Sequence, residues 1–179
     1  MVHLQNHPII DEISVINPIM PVIAGRETEM PFTDIPSLIE FAAENNADLG
    51  ELGLVYEKCI SGYPEEELNR LMKIIINIIH NSIDTGLKGT HFEDRILPRQ
   101  SHLIREAEDQ GRIRDSVVNR IIENVSALME SKSAMEVVVA APTAGSCGTV
   151  GGALRAVSEN LGSSAGKLEN SADELIKAY

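Results

Sequence analysis

The stretch from Met135 to Asn160 constrains the fold more than any other. A short apolar run, Val137 to Ala141, leads to Pro142. Proline lacks a backbone N–H and disfavours the helical conformation in the residue before it, so no helix passes this point. Only small residues follow, Thr143, Ala144, Gly145, Ser146, Cys147 and Gly148. A helical pattern then resumes through Val150, Leu154 and Val157, spaced i, i+4, i+7. The apolar run is expected to be buried, and the small residues to form a turn that feeds a helix N-terminus. The first N–H groups of such a helix lack internal partners and carry a partial positive charge. A glycine-rich turn there lets a small anion approach the main chain. Close helix packing explains the small residues equally well, since the anion attraction is worth only about 0.3–1 kcal/mol at an exposed site. Nucleotide motifs do not fit. Gly145, Gly148 and Gly151 are three apart, and no Lys-Ser/Thr pair follows.

With 179 residues the chain is long enough for one domain with a sizeable core. Aromatic residues make up 3% and tryptophan is missing, so that core must be aliphatic. The net charge of −12 argues against a nucleic-acid partner, which needs a basic face. Cys59 and Cys147 lie far apart and form no motif, which excludes a disulfide framework or a zinc site built by them alone. With no signal-peptide pattern and no apolar run near the roughly 20 residues of a membrane span, the chain reads as soluble and cytoplasmic.

The pattern predicts a mainly α, multi-helix domain. Residues 1–32, with Pro8, Pro18, Pro21 and Pro31, read as an extended apolar arm packed against a neighbour. Asp34 is placed to cap a helix carrying Leu38, Ile39 and Ala42 on its apolar face and ending at Asn45-Asn46. Asp48 and Glu51 form a capping-box pattern before a helix that carries Leu52, Val55, Tyr56 and Cys59 on one face. This makes Cys59 a small buried hydrophobe. Pro64 and three glutamates open a long helix with a wide aliphatic stripe, Leu68 to Ile79, the largest expected contribution to the core. His80 borders that stripe as a hydrogen-bonded structural histidine. Thr85 to His91 reads as a glycine-punctuated loop. Arg95, Arg99, His102 and Arg105 then gather around Pro98 on two short helices or a kinked one, as a salt-bridged face or a binding surface for an anion. Asp115 caps a further helix whose buried face is expected to be Val117, Val118, Ile121, Ile122, Val125, Leu128 and Met129. Beyond Leu161–Gly166, a connection, Ser171 to Glu174 forms another capping-box pattern, and the sequence stops at Tyr179, where a further layer of protein is expected.

The segment Val137 to Gly148, with its Ala141-Pro142-Thr143-Ala144-Gly145-Ser146-Cys147-Gly148 motif, closely resembles the hallmark of the α chain of iron–sulfur-dependent L-serine dehydratases (L-serine ammonia-lyases). The order of helices is similar over residues 33–179. The resemblance implies a helical α portion and a 4Fe–4S cluster with one iron open to substrate. That iron polarises the serine hydroxyl while a base removes the α-proton, and the aminoacrylate hydrolyses to pyruvate and ammonia. It places Thr143, Ala144, Gly145, Ser146 and Gly148 beside the substrate carboxylate, with Ser146 and neighbouring N–H groups as donors. Cys147 sits inside the motif as a minor candidate ligand, while the family's cluster cysteines fall further downstream. Thr149-Val150-Gly151-Gly152 departs from the family's Ile-Leu-Pro-Gly-like sequence.

A cluster needs about four ligands, mostly thiolates. The expectation is therefore a 33–179 domain cut or split before the cysteine region, acting as one subunit of a hetero-oligomer. A partner chain would ligate the 4Fe–4S cluster, and the substrate would be a small β-hydroxy amino acid. The alternative is a non-catalytic helical module derived from that domain and kept for binding or assembly. Lys88, His91 and His102 are candidates for the proton base by position alone, and none is assigned.

Overall fold

The computed structural model describes residues 29–94, 96–141 and 143–160. The capping-box pattern at Ser171, the final helix and all but the last residues of the N-terminal arm lie outside this region. Six helices make up the described residues, with no strand among them: α1 (Ile35–Asn45), α2 (Leu49–Ser61), α3 (Glu65–Lys88), α4 (His102–Asp109), α5 (Val117–Ser133) and α6 (Cys147–Asn160).

Local signals set most of the boundaries. Asp34 accepts from the Ser37 amide at 2.9 Å and Asp48 from the Glu51 amide at 2.9 Å, and each N3 side chain returns a bond to the cap backbone. α1 ends at Asn46 in the left-handed region and α2 at Gly62, also left-handed. Ser116, not Asp115, caps α5, accepting from the Asn119 amide at 3.2 Å. The C-terminus of α5 closes in a Schellman arrangement, in which Glu136 N–H donates to Ser131 O at 3.0 Å and Met135 N–H to Lys132 O at 3.2 Å. Met135 takes the left-handed position (φ 62°) that glycine usually fills.

Three further expectations are corrected. α3 does not stop before Thr85 but runs on through Gly86 to Lys88, because the missing side chain at Gly86 lets α3 lie directly on the α5 backbone. One helix, α4, stands in the segment expected to hold two short helices or a kinked one, and it begins only at His102. The Val137–Ala141 run is not buried: Val137 is exposed, and Val138 and Val139 are half-buried against the core.

α5 is the central helix. Its contacts Gly86–Ala127 and Ser82–Ser131 make it antiparallel to α3, and Gly148–Met129 and Gly152–Val125 make it antiparallel to α6. Ile79, Ile83, Ala127, Leu128 and Cys147 form the core where these three meet. The face α5 buries is largely polar: Glu123, Asn124, Glu130 and Ser131 are buried, while Val118 and Ile122 of the expected apolar face are exposed. Each of these four side chains makes at least one hydrogen bond, although Glu130 Oε2 is left without a partner. Glu123 receives Arg105 (3.1 Å) and Arg120. Arg120 also pairs with Glu108, whose other oxygen accepts from Asn119 at 3.0 Å. Ser131 donates to Ser82 O at 2.6 Å, and Ser82 in turn to Val137 O at 2.7 Å. Glu130 accepts the Gln100 and Ser101 amides at 2.8 and 2.6 Å, capping α4 from across the fold.

Candidate functional site

The small-residue turn lies where α6 begins. Pro142 precludes continuing helix, and the turn closes on its own hydroxyls. Thr143 Oγ1 accepts from the Ser146 amide at 3.2 Å, in the manner of a helix cap. Ser146 Oγ donates to Ala141 O at 2.8 Å and lies 3.0 Å from Thr143 Oγ1. Cys147 Sγ donates to Ala144 O at 3.1 Å. The two hydroxyls therefore shape the turn. Thr143, Ala144 and Gly145 are exposed, and Ser146 is half-buried. A Cβ placed on Gly145 would meet nothing nearer than Thr143 Oγ1, at 3.5 Å, so the main chain is open to an approaching group.

The glycines after the turn answer a different demand. A Cβ at Gly148 would fall 3.1 Å from Met129 Cγ, at Gly151 2.5 Å from Ile79 Cγ2, and at Gly152 2.7 Å from both the Val125 amide nitrogen and Val125 Cγ2. These three seat α6 against α5 and α3. The two readings of the small residues thus divide along the segment: Thr143 to Gly145 form an accessible turn, and Gly148 onward form a packing track.

Arg155 ties the far end of α6 to α3. It donates to Asp84 Oδ1 at 2.6 Å, to His80 O at 3.2 Å and to Glu159 Oε1 at 2.9 Å. Burial works against its charge, but the bonds to Glu159 and Asp84 outweigh it and raise its pKa. His80 beside it is lowered from the ordinary histidine value, first by burial and then by the Arg155 charge. Its Nε2 is buried without a partner, so the expected side-chain hydrogen bond is not made at that atom. Sequence reading missed Arg155 and Asp84 as a pair, since 71 residues separate them.

The other candidates are dispersed. Lys88 ends α3 and His91 follows it, both exposed. His102 opens α4, 3.9 Å from Glu106. Arg105 is committed to Glu123, and Arg99 donates to Leu87 O at 3.3 Å, so these two belong to a bonded face. Arg95 lies outside the described residues. Cys147 is buried in the core, and Cys59 is half-buried on α2. Among the described residues no group of three or more His, Cys, Asp or Glu could hold a metal ion, so the residues present do not fit an iron–sulfur cluster. None of the described helices is long and apolar enough to cross a membrane.

The sequence model of one family, described as serine dehydratase alpha chain, matches residues 14–179. Comparison with curated proteins and with solved structures gives no match.

Proposed function

Because the chain belongs to the family of serine dehydratase alpha chains, we propose that it is one subunit of an iron–sulfur-dependent dehydratase that eliminates water from a small β-hydroxy amino acid. The observation that supports this most is the exposed Thr143–Gly145 turn leading into α6, within the segment that resembles those enzymes. Its part in the reaction is to bind and orient the substrate carboxylate. The amides of Ala144 and Gly145 and the first N–H groups of α6, Gly148 included, serve as donors, and the partial charge of the helix holds the anion. Thr143 and Ser146 keep the turn in shape. Fixing the carboxylate also fixes the α-carbon and the β-hydroxyl relative to it, and such positioning lowers a barrier without any further chemistry by the turn.

The 4Fe–4S cluster is ligated mainly by a partner chain in this proposal, and no step through it is assigned to Cys59 or Cys147. One observation favours the alternative of a non-catalytic binding module: the Ser146 hydroxyl donates to Ala141 O and the Thr143 hydroxyl lies 3.0 Å from it, so both are occupied within the turn.

Anaerobic purification of the full chain with any co-purifying partner separates the two. The proposal expects a broad iron–sulfur absorption with roughly four irons per complex, lost when the partner is removed. It also expects Gly145→Val to keep the iron but raise KM for L-serine at least tenfold. A colourless, iron-free complex would leave the binding module standing, and an unchanged KM in Gly145→Val would remove the turn from substrate binding.

A further inference from the structure

An apolar groove of about 760 Å³ lies between α1, α2 and α3, apart from the α6 turn. Leu38, Leu49, Leu52, Tyr56, Leu68 and Met72 are among its walls. Leu49 is 76% exposed, a large apolar side chain left in water at the mouth of an apolar cleft. Phe32 also lines the groove and is buried, with its ring 5.5 Å from that of Phe41 and 6.4 Å from that of Tyr56. Phe32 is therefore an anchor at which the chain enters the groove from its N-terminal side.

Residues 13–23 precede this anchor closely. Seven of these eleven are Ile, Val or Met, and none is charged. Pro18 and Pro21 disfavour a helix there, which suits an extended strip laid between helices. Nine residues lead from Ile23 to Phe32, up to about 30 Å of chain, against the roughly 8–10 Å that separates packed helix axes. The family match begins at residue 14, so this stretch is part of the shared domain and not an appended tail.

We propose that the chain's own segment 13–23 is the occupant of this groove, held by apolar contact along α1–α3 with Phe32 as its fixed end. Connection to Phe32 favours this segment over a second copy or a foreign chain, because a tethered strip competes at a high effective concentration. It also removes from water a cleft that would otherwise be an exposed apolar patch.

A photo-crosslinker tests this in the full chain. With p-benzoylphenylalanine in place of Tyr56, irradiation of dilute protein should give monomer-mass adducts whose mapped peptides include residues 13–23. Adducts confined to a dimer-mass band would assign the groove to a second copy, and adducts elsewhere only would leave the segment outside it. Either result overturns the proposal. As a second measurement, Ile16→Asp with Ile19→Asp should raise the fluorescence of a bound apolar dye at least threefold while helical circular dichroism is retained. Unchanged dye binding in that folded variant also overturns it.

Discussion

A Cβ placed on Gly86 would lie 1.9 Å from the carbonyl oxygen of Ala127, so α3 and α5 meet backbone to backbone at that point. No rotamer change relieves a clash with a main-chain atom. Gly86→Ala should therefore cost at least about 2–3 kcal/mol of stability even though alanine is the better helix former. The drop in denaturation midpoint at unchanged m-value measures it. A variant as stable as the parent would mean that the helices stand further apart.

Met135 takes the opposite sign. It occupies the left-handed position of the α5 Schellman arrangement and is 78% exposed. Met135→Gly relieves a conformation that costs an L-residue about 1 kcal/mol and sacrifices little burial, so stability should rise by about 0.5–1 kcal/mol. Thermal and chemical denaturation should agree on the direction.

Glu130 is fully buried and holds two amides at the start of α4. Glu130→Ala leaves both donors unpaired beside a cavity and should cost about 2–4 kcal/mol. Glu130→Gln keeps an acceptor oxygen and should cost less than half as much. Amide exchange at Gln100 and Ser101 should speed up in the alanine variant and stay closer to the parent in the glutamine variant.

His80 should make stability depend on pH. Burial, helped by the Arg155 charge, lowers its pKa below the ordinary 6.5, so near that value the unfolded chain binds more protons than the folded one. This histidine's contribution is therefore complete at pH above 6.5 and is lost as pH falls from there toward the folded-state pKa. Unfolding midpoints across pH 5–8 should show a slope that flattens in His80→Gln. An identical slope in both proteins would assign the effect to other groups.

Much of the fold is legible in sequence because its signals are local. Asp34, Asp48 and Gly62 act within one turn of chain, and the stripe from Leu68 to Ile79 repeats often enough to fix a helix. The buried face of α5 was not legible. Periodicity assigns the core to apolar residues, and Val118 and Ile122 fit the rule, whereas the structure buries Glu123, Asn124, Glu130 and Ser131. Apart from Arg120, one turn before Glu123 on α5 itself, their partners, Arg105, Gly152, Gln100, Ser101 and Ser82, come from other elements, and nothing local announces those pairings. The candidate turn was legible through Pro142 and the small residues after it. Its division into an open part and a packed part was not, because Gly145 and Gly148 look alike until Met129 is seen against one of them.

The glycines at 148, 151 and 152 leave no cushion of side chain between α6 and the helices beneath it. Where such a helix sits is decided by hard contact between main chains and by the side chains they touch, much as a key is located by its slot. The turn ahead of it, held by Thr143 and Ser146, can then exchange residues at 144 and 145 without drifting from its place, so under the proposed function binding preference and placement are free to change independently.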